Sequence, residues 1–191
     1  MPRLRFRALT PDCWADFENL FGARGACGGC WCMWWRLARP QYDRQKGELN
    51  RQAMHALVDS GAPVGLLAYR QEQPVGWCAI APREQYPLLE RSRVLKRIDD
   101  QPVWSVTCFF IGKDHRRQGL TVELLRAAIR HVRQQGGQVL EGYPLQPRQG
   151  TIPAAFAYTG LVSAFLQAGF VECARRSATR PIMRVQVRAR K

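Results

Sequence analysis

The 191-residue chain carries 29 basic against 15 acidic side chains, a formal net charge of +14, and 46% hydrophobic residues. That apolar share suffices for one core and excludes a disordered chain, and no apolar run reaches the roughly 20 residues that a membrane-spanning helix requires. The charge predicts attraction to polyanions, while seven cysteines without a secretory leader fit reduced thiols in the cytoplasm better than a disulfide framework.

Arg3 to Ala8 alternates, with Leu4, Phe6 and Ala8 on one face and arginines on the other, which predicts a strand with one exposed face. Thr10, Pro11 and Asp12 then supply an N-cap, a first-turn proline and a first-turn acid ahead of Trp14, Phe17, Leu20 and Phe21 at helical spacing. The next segment reads Cys27-Gly28-Gly29-Cys30-Trp31-Cys32-Met33-Trp34-Trp35-Arg36. Cys27 and Cys30 have the two-residue gap shared by metal sites and redox motifs, and Cys32 adds a third thiol. A tetrahedral site needs a further donor, from Cys13, His55 or elsewhere, and no second paired motif supplies one, so no metal is expected. The other reading of these residues is cysteines acting as small apolar groups beside tryptophans packed on the core.

A helix is predicted over Asp43 to Ser60, stopped by Gly61. Val64 to Tyr69 and Val75 to Ala81 read as a hairpin joined by a short polar link. The stretch from Pro82 to Pro102 far exceeds a hairpin link of about two to five residues, and is expected to cover a site or to pair subunits as a homodimer. Val103 to Ile111 is an almost continuous apolar run, the pattern of a strand covered on both faces. The following helix sets Leu120, Leu124, Leu125, Ala128, Ile129 and Val132 on one stripe, and Gly136-Gly137 stops it. Val139 to Tyr143 completes a strand-helix-strand unit, which favours parallel pairing. A short helix through Ala164, Phe165 and Leu166, then strands near Phe170 to Cys173 and Met183 to Val187, close the chain. The fold class is therefore α/β, one domain over residues 1–191.

Between the apolar strand and its helix lies Arg116-Arg117-Gln118-Gly119-Leu120-Thr121. Unpaired N–H groups and the positive end of the macrodipole make a helix N-terminus an anion site. The hexad lacks the three glycines of a dinucleotide fingerprint and the Lys-Ser or Lys-Thr of a P-loop. It resembles the pyrophosphate loop of the GNAT superfamily of N-acetyltransferases, in which Arg or Gln is followed by two residues, Gly, one residue, then Gly or Ala. Arg116 and Gly119 match; Thr121 departs, keeping a small side chain and its backbone N–H. Ala168-Gly169-Phe170 and Pro74-Val75-Gly76-Trp77 are similar to two further anchors of that family, and the order of elements is similar throughout.

The resemblance implies a mixed, mostly antiparallel sheet with a splayed parallel pair and flanking helices. It implies transfer of an acetyl group from acetyl-CoA to an amine acceptor, either a small molecule or a protein. Arg116, Arg117, Gln118, Gly119, Leu120 and Thr121 would hold the pyrophosphate. The backbone of Phe109, Phe110 and Ile111, at the splay, would serve the pantetheine arm and the oxyanion. The segment between the first two helices borders the acceptor pocket in that family, which makes Trp31, Trp34 and Trp35 its candidate wall.

An amine of pKa about 10.4 is almost wholly protonated at neutral pH, so a base or desolvation must expose its lone pair. Many members of the family place a tyrosine four residues before the Gly of Gly-Phe to protonate the departing thiolate, a position held here by Phe165. Either Tyr158, Tyr143 or Ser163 substitutes or the thiolate leaves unaided, with Glu141 as candidate base and Cys108 as candidate nucleophile. Two other readings stand beside the transferase. One is a catalytically silent CoA-binding protein, or a cysteine-based metal or redox regulator, on the same fold. The other is a basic RNA-associated protein, against which the even spread of the arginines argues. No membrane partner is expected.

Overall fold

The computed structural model describes residues 4–147 and 157–187. Seven strands form one sheet: β1 (Leu4–Ala8), β2 (Gly65–Arg70), β3 (Gln73–Pro82), β4 (Trp104–Ile111), β5 (Val139–Gly142), β6 (Val171–Arg175) and β7 (Pro181–Gln186), in the order β1-β2-β3-β4-β5-β7-β6. Neighbours are antiparallel except β4 and β5, which run parallel. The mixed sheet with one parallel pair is the architecture that the resemblance implies.

The parallel pair needs a long crossover, and α5 (Leu120–Gln134) provides it. The side chains of Leu120, Leu124, Leu125, Ala128 and Val132 are buried with Leu66, Cys78, Ile80 and Val106 on one face of the sheet. At about 1.5–3 kcal/mol for each large apolar side chain removed from water, this stripe seats the helix N-terminus firmly behind the sheet. Strand alternation sends Leu67, Tyr69, Trp77 and Ala79 to the opposite face, where they pack with Trp14, Phe17 and Phe21 of α1 (Trp14–Phe21) and Met54 and Val58 of α3 (Glu48–Asp59).

Two features of β4 prepare the site. Its register to β3 slips between Ala79, opposite Cys108, and Ile80, opposite Val106, so Thr107 is the extra residue of a β-bulge. Its pairing with β5 covers only Trp104 to Val106, opposite Leu140 to Gly142, after which β4 continues to Ile111 alone. The two strands therefore part. Gly142 sits at the point of parting, and a Cβ there would lie 2.1 Å from a Phe165 ring carbon. Downstream, Leu145 makes an isolated parallel bridge with Leu161, ahead of α6 (Val162–Gln167).

The helix expected over 43–60 is two helices, α2 (Arg39–Gln45) and α3, parted at Gly47, whose φ of +86° no continuous helix accepts and whose N–H donates to the Gly29 carbonyl at 3.0 Å. The long stretch from Pro82 to Pro102 holds a 3-10 turn and α4 (Pro87–Glu90). It builds a third core, in which Tyr86, Leu89 and Leu95 pack with Ala81, Tyr143 and Ile182.

Candidate active site

Beyond the bulge, alternate residues of β4 divide their backbone groups between two neighbours. Gly112 donates to the Val75 carbonyl at 3.0 Å, so by antiparallel alternation Phe110 pairs with β3 and its backbone groups are spent in the ladder. This removes Phe110 from the expected backbone donors. Phe109 and Ile111 face the open edge. The Phe109 N–H donates to the Tyr158 carbonyl at 2.6 Å, and the Ile111 carbonyl accepts from Arg116 Nε at 3.0 Å. Of the groups expected at the splay, the Ile111 N–H is the donor that no other described residue engages.

Arg116, Arg117, Gln118 and Gly119 lie exposed at the N-terminus of α5. Gly119 takes the left-handed conformation, φ +73°, and Arg117 takes it at φ +60° despite carrying a side chain. Together they turn the chain so that, among the described residues, the backbone N–H groups of residues 117–121 have no hydrogen-bond partner. Successive unpaired donors at a helix start form an anion cradle. Arg70 at the end of β2 joins it: its Nη1 donates to Gln118 Oε1 at 2.9 Å and lies 3.4 Å from His115 Nδ1. Sequence reasoning missed Arg70, because nothing in the order of residues marks the register that brings it beside Gln118.

On the face opposite α5, a cavity of about 210 Å³ opens against the same stretch of β4. Phe21, Ala26, Cys27, Cys30, Cys32, Trp34, Trp35, Tyr42, Cys108, Phe109, Phe110 and Tyr158 line it. Trp34 and Trp35 are therefore brought to the wall. Trp31 is not: it is 5% exposed, stacked on Trp14 and Phe21 within the core. Its φ of +42° turns the chain there, burying Trp31 and releasing the next tryptophans toward the cavity.

The thiols respond to this surrounding. The Cys108 thiol is turned toward Cys32, which lowers the Cys32 pKa and raises that of Cys108, and the Trp77 indole N–H supports Cys32 further from 2.9 Å. Burial pushes Cys30 up to about 11. All seven cysteines are free, and among the described residues no three His, Cys, Asp or Glu side chains gather to hold a metal ion. Tyr42 entered the cavity without a sequence signal, while Cys108, the expected nucleophile, lines it from β4.

A family model described as the acetyltransferase (GNAT) family matches residues 31–147, well over half of the chain. The chain belongs to the GNAT acetyltransferase family. A GNAT-family acetyltransferase from Streptococcus agalactiae superposes with a TM-score of 0.56 at 12% identity, over 98% of this chain and 96% of that one. An aminoglycoside acetyltransferase in complex with coenzyme A gives 0.57 at 13% identity, covering 96% and 95%. An N-acetyltransferase from Thermoplasma acidophilum in complex with coenzyme A gives 0.53 at 13%, covering 96% and 99%. At these identities the likeness establishes the fold. Comparison with curated proteins finds no match.

Within this GNAT fold, three of the five expected catalytic side chains, Glu141, Tyr143 and Ser163, lie outside the cavity. Glu141, 1% exposed, accepts from Arg83 Nη1 at 2.8 Å and from Arg184 Nε at 2.7 Å, and the Tyr143 hydroxyl donates to it at 2.6 Å. Tyr143 is also 2.8 Å from Ser105 Oγ, and burial raises its pKa. Arg184 in turn grips Asp99 through both terminal nitrogens. This buried network ties the end of β3 to β5 and β7, and engages Glu141 and Tyr143 away from the cavity. Ser163 is exposed and does not line the cavity. Phe165 is fully buried against Phe109 and Phe170, so the usual tyrosine position is a packing site here. Of the expected catalytic groups Tyr158 and Cys108 reach the cavity, and burial raises the Tyr158 pKa. Among the described residues, no helix is long and apolar enough to cross a membrane.

Proposed function

We propose that the protein is an acetyl-CoA-dependent N-acetyltransferase acting on an amine seated in the cavity beside β4. The observation that carries this reading is the run of unpartnered N–H groups at residues 117–121, placed on one side of a parted strand pair whose other side is the aromatic cavity. The neighbours crystallised with coenzyme A support the choice of donor.

Acetyl-CoA supplies an activated acyl group as a thioester. In this reading the N–H groups of residues 117–121, with Arg116, Arg117 and Arg70, bind its diphosphate, so a fixed field replaces the water an anion would lose. Ile111 offers its backbone N–H at the splay. The Tyr158 hydroxyl, protonated at neutral pH as a phenol of pKa about 10 is, gives a proton to the departing sulfur. Trp34, Trp35 and Phe110 exclude water and hold the acceptor. Seven free thiols suit a cytoplasmic location.

Calorimetric titration with acetyl-CoA tests the reading, using Gly119→Val as the control. No protein atom lies within 4 Å of a Cβ at Gly119, but its φ of +73° strains any L side chain, so the substitution both fills the space before the loop and disturbs the turn that aligns the N–H groups. The variant is expected to lose at least tenfold in affinity while remaining folded. Wild-type protein that ignores acetyl-CoA, or binding indifferent to the substitution, overturns it. A CoA-binding protein without turnover is the second reading, favoured by the engaged Phe109 N–H and by Phe165. Chromatographic detection of acetyl-CoA consumption separates the two.

A further inference from the structure

We infer that the acceptor is an arylamine: a single aromatic ring whose amino group is already neutral at physiological pH. The inference rests on the transferase reading and narrows it through the chemistry of the cavity. Its volume, about 210 Å³, suits one substituted ring, since a cavity of about 150 Å³ holds benzene. Phe21, Trp34, Trp35, Tyr42, Phe110 and Tyr158 present aromatic surface to it from separate elements.

The decisive feature is charge. Among the described residues no Asp, Glu or His lines the cavity; the titratable groups that do are the thiols of Cys27, Cys30 and Cys32 from the loop after α1, Cys108 from β4, and the phenols of Tyr42 and Tyr158. The nearby formal charges on the tryptophan side are cationic. Arg39 stacks on the Trp34 ring at 3.5 Å, and Arg36 lies over Tyr86 at 4.6 Å while bonding Gln85. Asp43, on the same helix as Tyr42, is exposed and paired with Lys46 and Arg39. Glu141 is sealed between Arg83 and Arg184. A protonated amine would thus enter an apolar cavity beside positive charge with no counter-ion, which is costly. At pH 7 an amine of pKa about 10.4 is neutral in only about one molecule in 2,500, and no side chain here is placed to remove its proton.

An arylamine avoids both penalties, because its lone pair is shared with the ring and it is a weak base. The nitrogen–carbon bond forms as the carbon–sulfur bond breaks. Tyr158 gives its proton to sulfur and regains one from the nitrogen, so free coenzyme A and an N-aryl acetamide leave an unchanged protein.

Coenzyme A formation is measured by chromatography with 4-methylaniline, benzylamine, cyclohexylamine and spermidine, alongside calorimetry with acetyl-CoA. The expected result is a kcat/KM for 4-methylaniline at least a hundredfold above the others at pH 7. It should be level from pH 7 to 9, whereas the benzylamine value climbs about tenfold per pH unit. Trp34→Ala should raise KM for 4-methylaniline at least tenfold with acetyl-CoA affinity unchanged. Acetyl-CoA that binds but is spent preferentially on spermidine or benzylamine at pH 7 overturns this inference and leaves the transferase reading standing. Failure to bind acetyl-CoA overturns both.

Discussion

The backbone N–H of Phe109 donates to the carbonyl of Tyr158 at 2.6 Å, across the gap that opens where β5 ends. One residue thereby closes the edge of the sheet with its main chain and brings its hydroxyl-bearing ring to the aromatic cavity. Tyr158→Phe keeps the first role and deletes the hydroxyl. The expected outcome is a kcat lowered about a hundredfold, in the range for loss of a positioned acid, with acetyl-CoA affinity changed less than twofold. Steady-state kinetics paired with calorimetry read the split.

Glu141→Gln removes the carboxylate shared by two buried guanidinium groups, in a network that the cavity never touches; Glu90 still holds Arg83 and Asp99 still holds Arg184. Leaving a buried charge wholly unpaired costs about 3–5 kcal/mol, and the remaining carboxylates bring the expected cost here to about 3 kcal/mol or less. Urea denaturation should show that loss, while kcat per folded molecule stays within about twofold of wild type. A collapse of kcat with stability intact would instead make Glu141 the base.

Trp31 and Trp34 differ by three positions and by role. Trp31→Ala removes a ring packed against Trp14, Phe17 and Phe21, and should cost about 3–5 kcal/mol. Trp34→Ala at the half-buried cavity wall should cost less than about 1.5 kcal/mol. Denaturant midpoints compared at equal slope check the difference.

Alkaline pH should erode stability in a definite window. Burial raises Cys30 from 9.0 to about 11 and Tyr86 from 10.0 to about 12. In each case the unfolded chain releases its proton first. The stabilisation is therefore complete below pH 9 and is lost as pH climbs through these folded-state values. Denaturation midpoints should be level from pH 7 to 8.5 and fall from pH 9 upward; Cys30→Ala should remove the part of the fall between pH 9 and 11. A midpoint unchanged to pH 11 contradicts the assignment.

Local chemistry was legible in the sequence. The apolar run of β4, the stripe of α5 and the glycine ahead of it specify their own structure, so the glycine turn and the start of α5 stand where the pattern placed them. Side chains that depend on distant partners were not. Glu141 looks like a base until Arg83 and Arg184, 58 and 43 positions away, close around it. Arg70 acquires its place only through Gln118, 48 positions on. Spacing alone also does not sort three neighbouring tryptophans. The positive φ angles of Trp31 and Cys32 decide which of them turn inward, and L-residues disclose such angles poorly.

The extra residue at Thr107 has a consequence for how this chain tolerates change. It joins two stretches of β4 that are out of phase, one keeping Val106 against α5 and the other aiming Cys108 and Phe110 at the opposite compartment. Deleting Thr107 would oblige one stretch to roll over, exchanging the helix's ceiling for the cavity's floor. A single codon thus sets which compartment each half of the strand serves, and substitutions at Thr107 should be borne far better than its removal.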